Sequence, residues 1–162
     1  MSTLVTGIFS SRAIAETAAE ELMKSGFSAE DISLLMSEST RGREFAVKSS
    51  TKAPEGAVAG ARIGGVVGAI AGGLAAAGSL TIPGLALVAA GPVVGAITGL
   101  GAGAATGGLV GALVGLGIPE HEAKFYDEEL RHGGILIGVY AHDDRARLAR
   151  DILNASGAEK VK

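Results

Sequence analysis

The chain has 162 residues, enough for one ordinary domain or a small domain carrying an insertion. Its 14 Lys and Arg against 17 Asp and Glu leave a net charge of -3, which excludes the clustered positive charge that general nucleic-acid binding requires. The absence of cysteine excludes a disulfide framework and a thiolate metal site.

The opening MSTLVTGIFSS lacks the basic n-region and cleavage site of a signal peptide, so the globular part is expected in the cytoplasm. Thr3 to Ser10 reads as a strand, with Val5 and Phe9 on one face and Leu4 and Ile8 on the other, a two-sided pattern expected of a buried sheet. Ser10 or Ser11 can cap a helix from about Arg12 to Ser25, whose apolar positions Ile14, Ala18 and Leu22 recur one turn apart. Gly26 followed by Phe27 fits a Schellman ending. Ile32, Leu34 and Met36 alternate with their neighbours as a second strand. From Ser37 to Pro54 the chain is polar and carries Arg41, Arg43, Lys48 and Lys52, read as a solvated connection or a short extra hairpin. Bases placed before an apolar hairpin would favour keeping this side cytoplasmic.

The stretch from Gly56 to Gly117 is different in kind. It holds 19 of the 26 glycines, and no charged residue occurs from Ile63 through Pro119. Glycine recurs at every fourth position, at Gly56, Gly60, Gly64, Gly68 and Gly72, and again at Gly91, Gly95, Gly99, Gly103, Gly107, Gly111 and Gly115. Spacing of four places these residues on one helical face, a smooth groove that lets another helix approach closely. A flexible linker is a poor fit, because Ser79 is the only serine and long aliphatic runs would leave apolar surface in water. Two helices are predicted, Glu55 to Ala77 and Pro92 to Leu116, of about 34 and 37 Å, each long enough to cross about 30 Å of hydrocarbon. Between them Pro83 and Gly84 mark a turn, and Leu85 to Ala90 is expected as a short capping helix.

Twelve such glycines cost roughly 12 kcal/mol relative to alanine in water-exposed helix. A lone hairpin in water is therefore a poor fit, and helix-to-helix contact is demanded in lipid or in an assembly of copies. Arg62 lies two turns into the first helix, where an antiparallel partner would bring Glu120 or Glu122 near. It is read either as a snorkelling cation or as half of an ion pair.

Beyond this segment Pro119 suits a first helical position. Glu120 and Glu122 complement the helix N-terminus, Arg131 and His132 its C-terminus, and Gly133 its end. Ala123, Tyr126 and Leu130 form its apolar face. Gly134 to Ala141 is a third strand, Asp143 a cap for a last helix through Ala146, Ala149, Ile152 and Leu153, and Ala158 to Val161 a short edge strand. The fold class is therefore α+β: a ferredoxin-like sandwich, residues 1–53 and 119–162, interrupted by a long apolar glycine-zipper α-helical hairpin over 54–118.

No motif for chemistry emerges. His121, His132 and His142 have no metal-ligand spacing, the glycines match neither GxxxxGK[ST] nor a properly spaced GxGxxG, and Ser33 and Ser37 lack a nucleophile elbow. Asp127, Glu128 and Glu129 read as a solvated helix face. No catalytic residue and no cofactor is expected.

TKAPEGAVAGARIGG at Thr51 to Gly65, TIPGLALVAAGPVVGAI at Thr81 to Ile97 and GIPEHEAKFYDEELRHGGILIGV at Gly117 to Val139 resemble bacterial general stress protein 17M-like or low-temperature-induced proteins. The resemblance covers nearly the whole chain and is most specific over Ile118 to Tyr126. It implies a stress-associated, non-catalytic protein without established catalytic residues. Residues and resemblance together give the expectation of a self-assembling structural protein, a homo-oligomer. Its cytoplasmic domain would sit at the inner membrane, with lipid contact through residues 56–117 and no nucleic-acid partner. The alternatives are a soluble filament or shell with buried hairpins, and a small-ligand-binding regulatory module that takes an anion at Arg41 to Lys52. A pore is weakly supported, since only Thr98 and Thr106 give the helices polarity.

Overall fold

The computed structural model describes residues 2–28, 30–37, 39, 40, 43, 80–82, 85–90, 93 and 102–162. In chain order these form β1 (Ser2–Phe9), α1 (Arg12–Lys24), β2 (Ile32–Ser37), β3 (Leu80–Ile82), β4 (Leu85–Ala90), α2 (Ala102–Gly115), α3 (Glu120–Arg131), β5 (Ile135–His142) and α4 (Asp143–Ala155). The class is α+β.

The strands make one antiparallel sheet in the order β1-β5-β2-β4-β3. Although β1 and β2 are joined through α1, they are not neighbours. The late strand β5 lies between them, so that Val139 stands opposite Val5 on one side and Ile32 on the other. This is the split β-α-β arrangement, in which a helical crossover leaves room for one antiparallel strand.

Period-two alternation sends successive residues of each strand to opposite faces, and here both faces are covered. Val5, Phe9, Ile32, Leu34, Met36, Ile135, Ile137 and Val139 pack against Ala15, Ala18, Ala19 and Leu22 of α1 and Ala146, Ala149 and Leu153 of α4. On the reverse face Ile8, Leu35 and Leu136 meet Leu109, Ala112 and Leu113 of α2 and Ala123, Tyr126 and Leu130 of α3. The expected two-sided burial of β1 is thus explained by helices on each side, and all six residues of β2 are buried for the same reason.

Helix ends follow the sequence closely. Gly26 has φ 87°, its N–H donates to Met23 O and that of Phe27 to Leu22 O, the expected Schellman ending of α1. At Gly133, φ 103°, the same pair of bonds closes α3 on Leu130 O and Glu129 O. The starts differ by one position. Pro119 and His142 are the N-cap residues of α3 and α4, so Pro119 stands just outside its helix and Asp143 is the first residue inside.

The larger corrections fall within 54–118. The short helix expected over Leu85 to Ala90 is instead strand β4, paired with β2 from Leu34↔Ala90 to Ser37↔Leu87 and with β3 from Leu80↔Leu87 to Ile82↔Leu85. A six-residue apolar run bounded by Gly and Pro has no periodicity to separate strand from buried helix, and the free edge of β2 decides it. The single helix expected from Pro92 to Leu116 is interrupted: within α2, Gly108 has φ 59° and ψ -148°, a conformation that only glycine adopts readily. Among the described residues no helix is long and apolar enough to cross a membrane. The first predicted zipper helix, Glu55 to Ala77, lies outside the described residues.

Candidate functional site

The twelve zipper glycines divide sharply. Gly56, Gly60, Gly64, Gly68, Gly72, Gly91, Gly95 and Gly99 lie outside the described residues, whereas Gly103, Gly107, Gly111 and Gly115 belong to α2. After the break at Gly108, Leu109, Ala112 and Leu113 are buried on the sheet, and Gly111, Val114 and Gly115 occupy the outer side. Val114 is 41% exposed. Gly107 is exposed, and a Cβ added there would meet no described atom within 4 Å. The helix therefore has a committed aliphatic face and an uncharged outer face made of glycine and valine.

Ahead of it in the chain lies a polar contact that periodicity does not show. The Val93 N–H donates to Ser33 Oγ at 3.2 Å in a buried bond, tying the chain ahead of α2 to β2. Beside it Thr6, Ser33, Val93, Leu113, Leu136 and Gly138 help to line a cavity with about 10 Å³ of room for a water centre. That is about the minimum for one water and far too small for a metabolite.

The predicted ion-pair group is only partly assembled. Arg62 lies outside the described residues. Glu120 pairs with Lys124 within α3 at 2.7 Å, and the Lys124 hydrogen bond holds its carboxyl below the usual range. Glu122 faces inward: its Oε2 is buried without a hydrogen bond among the described residues, with Lys162 Nζ at 3.9 Å. His121 Nε2 lies 3.8 Å from Glu122 Oε1. One turn on, the buried Tyr126 hydroxyl is 3.2 Å from Thr6 Oγ1 and 3.5 Å from Lys160 O, to which it donates. Burial pushes the Tyr126 phenol up, partly offset by the Thr6 bond. The sequence placed Tyr126 on the buried face with Ala123 and Leu130, as found, but gave no sign of its partners, which lie more than thirty residues away in either direction.

The other candidates are dispersed. His132 is the C-cap of α3 and His142 the N-cap of α4, and among the described residues no three His, Asp or Glu side chains are grouped to hold a metal. Of the basic stretch Arg41 to Lys52 only Arg43 is described. It lies at the C-terminal end of α3, where a Cβ on Gly133 would come within 2.8 Å of Arg43 Nη2. A guanidinium there complements the helix dipole.

No protein-family model matches the chain, and neither curated proteins nor solved structures provide a significant match.

Proposed function

We propose that this chain is a non-catalytic structural protein that self-assembles through the small-residue face of α2. The observation that carries this reading is Gly107: exposed, with open space beyond its Cα, immediately ahead of the break at Gly108 that separates it from the segment buried through Leu109, Ala112 and Leu113. The four zipper glycines of α2 cost on the order of 1 kcal/mol each relative to alanine in an exposed helix. A neighbouring helix seated against either pair, Gly103 and Gly107 before the break at Gly108 or Gly111 and Gly115 after it, recovers part of that cost by close packing. The resemblance to stress-associated proteins supports the same role. The β1-α1-β2 crossover with β5 between supports a ferredoxin-like frame, here with a second helical layer on the reverse of its sheet. Residues 54–118 contribute the zipper.

Association with the inner membrane through residues 56–117 belongs to this proposal, supported by the uncharged run from Ile63 to Pro119. One observation favours the second reading, a soluble homo-oligomer with lipid-free interfaces: the C-terminal part of the zipper is already packed on the sheet.

Gly107→Leu tests the packing surface. Leucine has the better helix propensity and its Cβ meets no described atom within 4 Å, so the fold should hold while the light-scattering mass drops to that of the protomer. An unchanged oligomer would remove α2 as the contact. Flotation of the untagged protein with phosphatidylethanolamine/phosphatidylglycerol vesicles separates the two settings. Recovery with the vesicles after a carbonate wash supports insertion, and recovery only in the dense fraction supports the soluble assembly.

A further inference from the structure

The outer edge of β1 carries its own cover. Residues 159–162 lie antiparallel along it: Thr6 N–H donates to Lys162 O at 3.0 Å, Lys162 N–H to Thr6 O at 2.9 Å, Glu159 N–H to Ile8 O at 2.9 Å, and Ile8 N–H to Lys160 O at 3.3 Å. Strand geometry turns every second residue toward the same edge. Ser2 and Leu4 therefore share the edge with Thr6 and Ile8, and among the described residues the cover reaches only the latter two.

β1 reads STLVTGIF and contains no charged residue and no proline. Exposed edges are normally blunted by Lys, Pro or a bulge. Here the charges sit on the covering segment, as Glu159, Lys160 and Lys162. Val161 packs against the main core and the Tyr126 hydroxyl donates to Lys160 O, whereas the charged side chains of the segment hold only weakly. Lys162 Nζ stands 3.9 Å from Glu122 Oε2, beyond hydrogen-bond distance, and Lys160 Nζ lies 5.1 Å above the Phe125 ring. The approach of the segment also depends on Gly7, where an added Cβ would come within 3.2 Å of Ala158 Cβ.

We propose that the edge of β1 is a second self-association surface, whose partner is β1 of another copy paired antiparallel about a two-fold axis, and that residues 159–162 are the strap that keeps it closed. An uncharged strand can face itself across a two-fold without placing like charges opposite each other. A two-fold ladder through Ser2, Leu4, Thr6 and Ile8 would engage the two edge residues the strap leaves as well as the two it covers, and removing the strap removes its charges with it. The surface is separate from α2 and does not rest on the reading above.

The test is the chain lacking residues 159–162, in a Gly107→Leu background so that contact through α2 does not mask the result. Light scattering is expected to show twice the mass of the Gly107→Leu parent. The Thr6 and Ile8 amides should gain hydrogen-exchange protection of tenfold or more as concentration rises. Adding Leu4→Lys, at a half-buried site where lysine can snorkel, should restore the parent mass. Gly7→Ala, which keeps every strap residue, should speed exchange of the Lys162 amide tenfold and give a partial dimer, and it decides the matter if the truncated chain does not fold. Parent mass in the folded variant, or a doubled mass with Thr6 and Ile8 still unprotected, overturns the proposal.

Discussion

The Tyr126 hydroxyl lies 3.2 Å from Thr6 Oγ1 in a buried contact that joins α3 to β1 across 120 residues of sequence. It is one of the polar fastenings of the face that α2 and α3 cover, beside the Ser33–Val93 bond, among mostly apolar neighbours. Tyr126→Phe should lower stability by about 1 kcal/mol, the usual net worth of a buried neutral hydrogen bond, and the melting temperature by about 2–4 °C for a chain of this size. Urea unfolding of Tyr126→Phe, Thr6→Val and the double variant should show the two losses to be less than additive, because each removes the same bond. Full additivity would mean the pair does not interact.

Alkaline unfolding should begin where tyrosine ordinarily ionises. Burial raises the phenols of Tyr126 and Tyr140 above 10.0, so the folded state holds their protons longer than the unfolded chain does. Their contribution is fully present below pH 10 and is lost as pH rises through the folded-state values. Urea midpoints measured from neutral pH to above pH 10 should stay level with respect to these groups and then fall. In Tyr126→Phe the fall should be shallower.

Arg145 fastens the other helical layer. Its Nη2 donates to Ser25 O at 2.8 Å and its Nη1 to Gly26 O at 3.2 Å, while the guanidinium lies 4.1 Å over the Phe27 ring. It therefore satisfies carbonyls at the end of α1 and stacks on a buried aromatic at once. Arg145→Lys retains the charge but not the planar fork, and should cost about 1 kcal/mol in denaturant unfolding. A loss equal to that of Arg145→Ala would assign the effect to geometry. A lysine variant as stable as the parent would assign it to charge.

Ser33 connects β2 to the segment that leads into α2. Ser33→Ala leaves the buried Val93 N–H without its acceptor, which should cost about 1–3 kcal/mol. Hydrogen exchange should show a faster Val93 amide, with the β1-β5 ladder unchanged. Equal acceleration of both would mean that the bond supports the whole sheet rather than the attachment of this segment.

Local signals were legible wherever a residue's own backbone preference settles the structure. Gly26 and Gly133 mark helix ends because left-handed backbone favours glycine. The alternation in Thr3 to Ser10 and Ile32 to Met36, and the helical period of Ala123, Tyr126 and Leu130, gave both the element type and the buried residues. Leu85 to Ala90 was not legible, because an apolar run of six has no period and its state depends on whether a strand edge is free to receive it. The candidate packing surface was legible as glycines spaced by four. The side of the helix left outward was not, since that depends on which residues the sheet takes, namely Leu109, Ala112 and Leu113.

The sequence by itself determined an α+β chain, the two-sided burial of β1, the ends of α1 and α3, and an uncharged glycine-patterned stretch. Each follows from propensity or periodicity over a few neighbouring residues. Only the tertiary structure decided that β5 lies between β1 and β2, that β3 and β4 extend the sheet, that α2 breaks at Gly108, and that Glu122 faces Lys162. Those outcomes depend on contacts between residues far apart in the chain, whose energies exceed local preference and are not written in any short stretch of it.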